Sequence, residues 1–153
     1  MNFKTIQENE ISHVINWSSS AKCNAFTNIE YMCVSGISGR YGMLHDLTTL
    51  DKAVTFIEAA RKSGGRVLSH CWHGRNRSVT TLVAYLMKYE GMTAKQANNL
   101  IKQTRPQADP YFDVLAAWSN KYLKRKVDLD TNNNTSSEKT ARLRTKYYDD
   151  TKH

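Results

Sequence analysis

Apolar residues in the first half of the chain gather in three short runs: ISHVINW (Ile11 to Trp17), IEYMCV (Ile29 to Val34) and RVLSH (Arg66 to His70). Each has the length and the branched or aromatic content of a strand. SSSAKCNAFTN, between the first two, reads as a polar loop. SGISGRYGMLH, after the second, carries Gly36, Gly39 and Gly42 and reads as a flexible surface loop. From there the period changes. Leu47, Leu50, Val54, Ile57 and Ala60 recur at helical spacing, with Asp46 placed to cap the helix and Gly64 and Gly65 placed to stop it. After the third strand, Val79, Leu82, Val83 and Leu86 share a helical face that runs to Gly91. Thr93 then caps AKQANNLIKQTR, which Pro106 ends. A last helix is predicted through DPYFDVLAAWSNKYLKRK, with Asp109 as its cap and Pro110 in its first turn. Trp17, Phe56, Tyr85 and Trp118 fall at core spacing. A helix feeding directly into an apolar strand predicts parallel pairing. The expected fold is α/β: a small, mostly parallel central sheet flanked by helices. No internal repeat is visible.

The pattern stops after Lys126. The remaining VDLDTNNNTSSEKTARLRTKYYDDTKH is polar and almost free of large aliphatic residues. It reads as a disordered or loosely attached tail, residues 127–153, behind one domain, residues 1–126. The whole chain is 153 residues with 40% hydrophobic content, enough for one core.

Charge narrows the partners. A net charge of +8 fits a nucleic-acid surface, an acidic membrane or an anionic substrate. The basic residues are scattered apart from Lys124, Arg125 and Lys126, a run that ordinarily marks a solvated helix end. The opening residues have no signal-peptide core, and no apolar run is long enough to span a membrane. Cys23, Cys33 and Cys71 have no zinc spacing, and their odd number argues against a disulfide framework. The expectation is a soluble, intracellular protein, cytoplasmic with the nucleus left open, of undetermined oligomeric state and with no membrane partner.

The candidate chemistry lies in VLSHCWHGRNRS, Val67 to Ser78. A loop wrapping from a strand into a helix N-terminus turns backbone N–H groups inward, and the helix dipole adds positive potential. Such a cradle suits a tetrahedral oxyanion and lowers the pKa of a thiol within it. Cys71 would be a thiolate nucleophile facing a bound phosphate. Arg77 would grip two phosphate oxygens with its planar fork. Gly74 would let the loop turn tightly. The Ser78 hydroxyl could donate to the sulfur as it leaves, and His70 would orient the loop. A bare C-x5-R is more often a buried structural thiol beside a turn. The longer HCxxGxxRS, set between a strand and a helix, favours the functional reading.

This stretch resembles the active-site signature of the cysteine-based phosphatases, specifically the dual-specificity protein phosphatases. ISHVIN, LDKAVTFIEAARKSGGRVLSHC, RSVTTLVAYLMKYEGMTAKQA and TRP with its following helix are similar to that family's strands and helices. The resemblance implies hydrolysis in two steps through a phosphocysteine, with no metal or cofactor. On the matching positions Cys71 is the nucleophile and Arg77 the phosphate-binding arginine. His70, Gly74 and Ser78 are the supporting positions. Trp72, His73, Arg75 and Asn76 supply mainly backbone N–H groups. The implied partner is a phosphorylated protein. A short chain without an extra recognition segment implies a shallow pocket that admits phosphoserine and phosphothreonine as well as phosphotyrosine.

Two departures stand out. The family places an aspartate general acid in the loop after the second strand, where SGISGRYGMLH has no carboxylate. Asp46, the nearest, is either a helix cap or the acid. Otherwise His45 serves, or a good leaving group needs none. The family also has more chain before its ISHVIN-like strand, so a reduced N-terminal part is expected. Two further readings remain open. HGxNR is similar to the signature of cysteine phosphatases acting on RNA 5′ ends, with RNA as partner. A phosphate-binding module with little turnover would keep the cradle without the acid. Cys23 or Cys33 could pair with Cys71 on oxidation, although Cys33 reads first as a small buried hydrophobe.

Overall fold

A computed structural model describes residues 3–18, 23 and 26–123. The predicted tail, 127–153, lies outside the described residues. Three strands, β1 (His13–Asn16), β2 (Glu30–Cys33) and β3 (Val67–His70), fall inside the three apolar runs. All pair in parallel, in the order β2-β1-β3. β1 sits in the middle, with Asn16 level with Cys33 on one side and His70 on the other. Val14, Ile15 and Asn16 are buried, as a central parallel strand covered by helices requires. The parallel alignment brings the carboxyl ends of all three strands to one edge, where ligands of open α/β sheets bind.

The helices among the described residues are α1 (Phe3–Glu8), α2 (Gly39–His45), α3 (Leu47–Lys62), α4 (Arg77–Tyr89), α5 (Ala94–Lys102) and α6 (Phe112–Tyr122). None is long and apolar enough to cross a membrane. α3 buries Leu50, Ala53, Val54, Ile57 and Ala60, the predicted stripe, and ends at Gly64, whose φ of 80° only glycine adopts freely. α4 packs on α3, α5, α6 and β3 and is buried nearly all round, with Val79, Val83, Ala84 and Met87 inside. Two of its buried hydroxyls bond back to the preceding turn: Thr80 donates to the Asn76 carbonyl at 2.9 Å and Thr81 to the Arg77 carbonyl at 3.0 Å. Thr93 and Gln96 form a reciprocal capping box at the start of α5. Trp17 and Trp118 are fully buried in the common core.

The structure departs from the sequence expectations in four places. Residues 3–8 form a helix anchored by buried Ile6, a single apolar contact that leaves no periodic trace. The glycine-rich segment after β2 folds as α2 around fully buried Met43 and is tied to α6 by an Arg40–Asp113 ion pair at 3.4 Å. α6 starts at Phe112 with Tyr111 at its N-cap. Asp109 and Pro110 therefore lie outside it, because Asp109 is held by the loop that follows β3. Cys33 is exposed at the end of an edge strand and forms a disulfide with Cys23, Cα atoms 6.1 Å apart. It is neither a buried hydrophobe nor a partner of Cys71, and the three thiols resolve into one pair and one free Cys71.

Asp46 is pinned where α2 meets α3. Its N–H donates to the Gly42 carbonyl, and its carboxylate accepts from Thr49 N at 3.0 Å and Thr49 Oγ1 at 2.6 Å. The Thr49 hydroxyl and N–H hold its pKa below the ordinary carboxylate value, against the smaller opposing effect of burial. Asp46→Ala is expected to lower stability by about 0.5–2 kcal/mol, and Asp46→Asn by much less. A depressed folded-state pKa stabilises above the unfolded value and loses its effect as pH falls through the folded one. The alanine deficit, measured by urea unfolding, is therefore full at neutral pH and disappears in strong acid.

Candidate active site

β3 ends at His70, α4 begins at Arg77, and residues 71–76 span the gap between them. The loop is a cradle around Cys71. Sγ lies 3.3 Å from Ser78 Oγ, and the backbone N–H groups of Ser78, Gly74 and Arg75 are directed at it. Half-burial of the sulfur pushes its pKa up. The Ser78 hydroxyl and those N–H groups outweigh that effect and bring the thiol below its ordinary value. His70, half-buried, is held toward the neutral form by loss of water. Its carbonyl accepts from Trp17 N at 2.9 Å, which ties the end of β3 to the residue after β1.

Arg77 opens α4 with its guanidinium over the carboxyl edge of the sheet. Nη1 donates to the Trp17 carbonyl, just past β1, and at 3.3 Å to the Ile37 carbonyl in the segment after β2. Both bonds use one nitrogen, so Nε and Nη2 retain donors for an anion in the cradle. Trp72 is 66% exposed and meets His73 edge-on, with ring centroids 6.5 Å apart. Arg75 pairs with Asp109 at 3.2 Å, and Asn76 Nδ2 donates to the Asp109 carbonyl at 2.7 Å.

The connection between α5 and α6 supplies residues that sequence reasoning missed. Arg105 Nε donates to the Gly74 carbonyl and Nη2 to the His73 carbonyl at 2.9 Å. Asp109 N donates to the Arg75 carbonyl at 3.0 Å, and Tyr111 N to Thr80 Oγ1 at 2.9 Å. Gly74 has φ 61°, and a Cβ there would lie 2.7 Å from Arg105 Nη2, so glycine is required both for the turn and for the approach of the guanidinium. Tyr111 also borders the site. Burial raises the pKa of its phenol, Arg77 opposes that rise, and Cys71 adds to it. The advance signal for Arg105 was TRP, which marks the end of a helix and says nothing of what the arginine reaches.

Asp46 is committed to Thr49, as the cap reading expected. Among the described residues no cluster of His, Cys, Asp and Glu could hold a metal ion.

A strand–loop–helix cradle with a lowered thiol and an arginine at its rim defines a class of protein, and the likeness extends over the whole described chain. The family model for the dual specificity phosphatase catalytic domain matches residues 1–122, and the chain belongs to this family of cysteine-based phosphatases. It is 53% identical over 60 residues to Dual specificity protein phosphatase 1 of Arabidopsis thaliana, covering 39% of this chain and 30% of that one. It is 34% identical over 115 residues to Dual specificity protein phosphatase 16 of Homo sapiens, covering 75% of this chain and 17% of that one. The chain thus spans under a third of either relative. The fold is similar to the crystal structure of DUSP15, with a TM-score of 0.68, 21% identity, and 95% of this chain and 85% of that chain covered.

Because the Ser78 hydroxyl, 3.3 Å from the sulfur, lowers the thiol pKa, Ser78→Ala is expected to raise the pKa of Cys71. Below its pKa the thiol is protonated and unreactive, so the pH midpoint for iodoacetamide alkylation of Cys71 should move to higher pH. An unchanged midpoint would remove Ser78 from the set of groups stabilising the thiolate.

Proposed function

We propose that residues 1–126 form a protein phosphatase unit hydrolysing phosphotyrosine, and more slowly phosphoserine and phosphothreonine, without metal or cofactor. The observation that carries this reading is the Cys71 thiol, lowered by Ser78 and loop N–H groups, beside an Arg77 whose fork is partly uncommitted. The names of the relatives support a protein substrate. The names of the relatives do not favour RNA, for which HGxNR is the sequence signal, and the intact nucleophile weighs against a module that only binds.

In the first step the phosphoryl group lies in the cradle, its oxygens facing the loop N–H groups and Arg77. Cys71 Sγ attacks phosphorus; a P–S bond forms as the P–O bond to the substrate side chain breaks, and the departing oxygen takes up a proton from solvent water. In the second step water attacks phosphorus and the P–S bond breaks, giving inorganic phosphate. The returning thiolate is received by the Ser78 hydroxyl, which donates to the sulfur. Cys71→Ser removes the nucleophile, since a serine hydroxyl is not ionised by this field. The expected loss of kcat on a phosphotyrosine peptide exceeds about 10³-fold. Wild-type protein is to be assayed beside it on phosphothreonine peptide and triphosphate-ended RNA. Activity confined to the RNA would overturn the protein-substrate reading.

The leaving group decides how much an acid matters. A tyrosine phenol leaves with a pKa of about 10, whereas an alkyl alcohol is far more basic and needs a proton in the transition state. Asp46, ionised and bound to Thr49, is a poor donor. Asp46→Asn is therefore expected to leave rates on aryl and alkyl phosphates near wild type. An acid role would cost roughly 10²–10⁴ on phosphothreonine and much less on an activated aryl ester.

A further inference from the structure

Three consecutive carbonyls of the loop, those of His73, Gly74 and Arg75, accept from the α5–α6 connection. Two of the three bonds come from one side chain, Arg105. A trans peptide is planar, so the carbonyl of one residue and the N–H of the next point in opposite directions. A His73 carbonyl turned out toward Arg105 turns the Gly74 N–H in. A Gly74 carbonyl turned out turns the Arg75 N–H in. Those are the two mid-loop N–H groups directed at the Cys71 sulfur.

We propose that Arg105 is a positioning residue for this site, its planar guanidinium locking the His73–Gly74 and Gly74–Arg75 peptide units so that their N–H groups face the sulfur and the phosphate beside it. The inference rests on reading the loop as a phosphate cradle.

The rest of the geometry follows from this role. Arg105 is held in place by its own backbone at the end of α5, its N–H donating to the Ile101 carbonyl at 2.9 Å and its carbonyl accepting from Ala108 N at 2.9 Å. Its head reaches the loop only because Gly74 has no Cβ. The fork spans two carbonyls that a lysine ammonium, a point donor on a flexible stem, cannot hold in the same fixed geometry. The charge acts on the outer face of the peptides, so it polarises them in the direction that makes their inner N–H groups better donors. Unlike Arg77, Arg105 need never touch the substrate.

The test compares wild type with Arg105→Lys and Arg105→Ala, and its readouts need no turnover. Alkylation of Cys71 by iodoacetamide is followed against pH by mass spectrometry of the peptide that carries it, and again with increasing inorganic phosphate. Thermal unfolding of each variant is measured alongside. In both variants the alkylation midpoint is expected to move to higher pH. The phosphate concentration that protects Cys71 should rise about tenfold or more in the alanine variant, the equivalent of losing one charge-assisted hydrogen bond. If Arg105→Ala fails to fold, Arg105→Lys carries the test. A folded variant with the wild-type alkylation profile and wild-type phosphate protection would overturn the proposal and leave Arg105 a structural staple, whatever its unfolding temperature. Wild-type protein that phosphate does not protect would instead remove the cradle reading on which the proposal stands.

Discussion

A sulfur half-buried between a strand and a helix keeps its proton unless something replaces the water it has lost. Here the replacement is one hydroxyl and a set of backbone N–H groups. The N–H groups of Gly74, Arg75 and Ser78 converge on Cys71, joined by one hydroxyl from Ser78. Peptide dipoles fixed in advance cost nothing to reorient when charge moves, which is why they serve both a thiolate and a transferring phosphoryl group. Most other features around the loop serve to keep those dipoles turned inward. A free loop would turn its carbonyls toward the sulfur about as readily as its N–H groups. The outward carbonyls therefore need partners of their own, and they find them in Arg105 and Asp109.

The sheet provides the opposite wall. Because β1 pairs in parallel with both neighbours, its last residues emerge beside the end of β3. Arg77 is fastened there, to the carbonyls of Trp17 and Ile37. One guanidinium thus ties the start of α4 to the central strand and to the segment following β2. Arg105 ties the far side of the same loop to the end of α5. The loop is held between two arginines with different bonds: Arg77 is tied through Nη1 to the carbonyls of Trp17 and Ile37, and Arg105 has both of its bonds on the loop's outer carbonyls.

The segment after β2 shows how a local requirement can remove a catalytic option. α2 is short, rich in glycine and anchored by Met43. Asp46 ends it and begins α3 at the same position, so its carboxylate is drawn to Thr49. A carboxylate held ionised by two donors is suited to capping and unsuited to giving up a proton near neutral pH. On the proposed function, the chemistry would then lean on the leaving group and favour aryl over alkyl esters.

Much of this was legible in the residues alone. The strand-like runs, the apolar stripes of α3 and α4, the caps at Asp46 and Thr93, and HCxxGxxRS all express short-range physics: period, capping and turn chemistry act over a few residues, and a sequence displays them directly. The likeness of HCxxGxxRS to a phosphatase signature made Cys71 and Arg77 the candidate residues for the same reason, since the loop is built from contiguous chain. What sequence could not convey depends on contacts between distant segments. Asp109 looks like a helix cap and instead grips Arg75 and Asn76, 34 and 33 positions earlier. Cys33 looks like a core residue and instead meets Cys23 at the rim of an edge strand. Arg105, 31 positions after Gly74, has no local feature that announces its role. Tertiary structure alone decided which side of each loop peptide faces the sulfur, because that choice belongs to the partner across the gap and not to the loop.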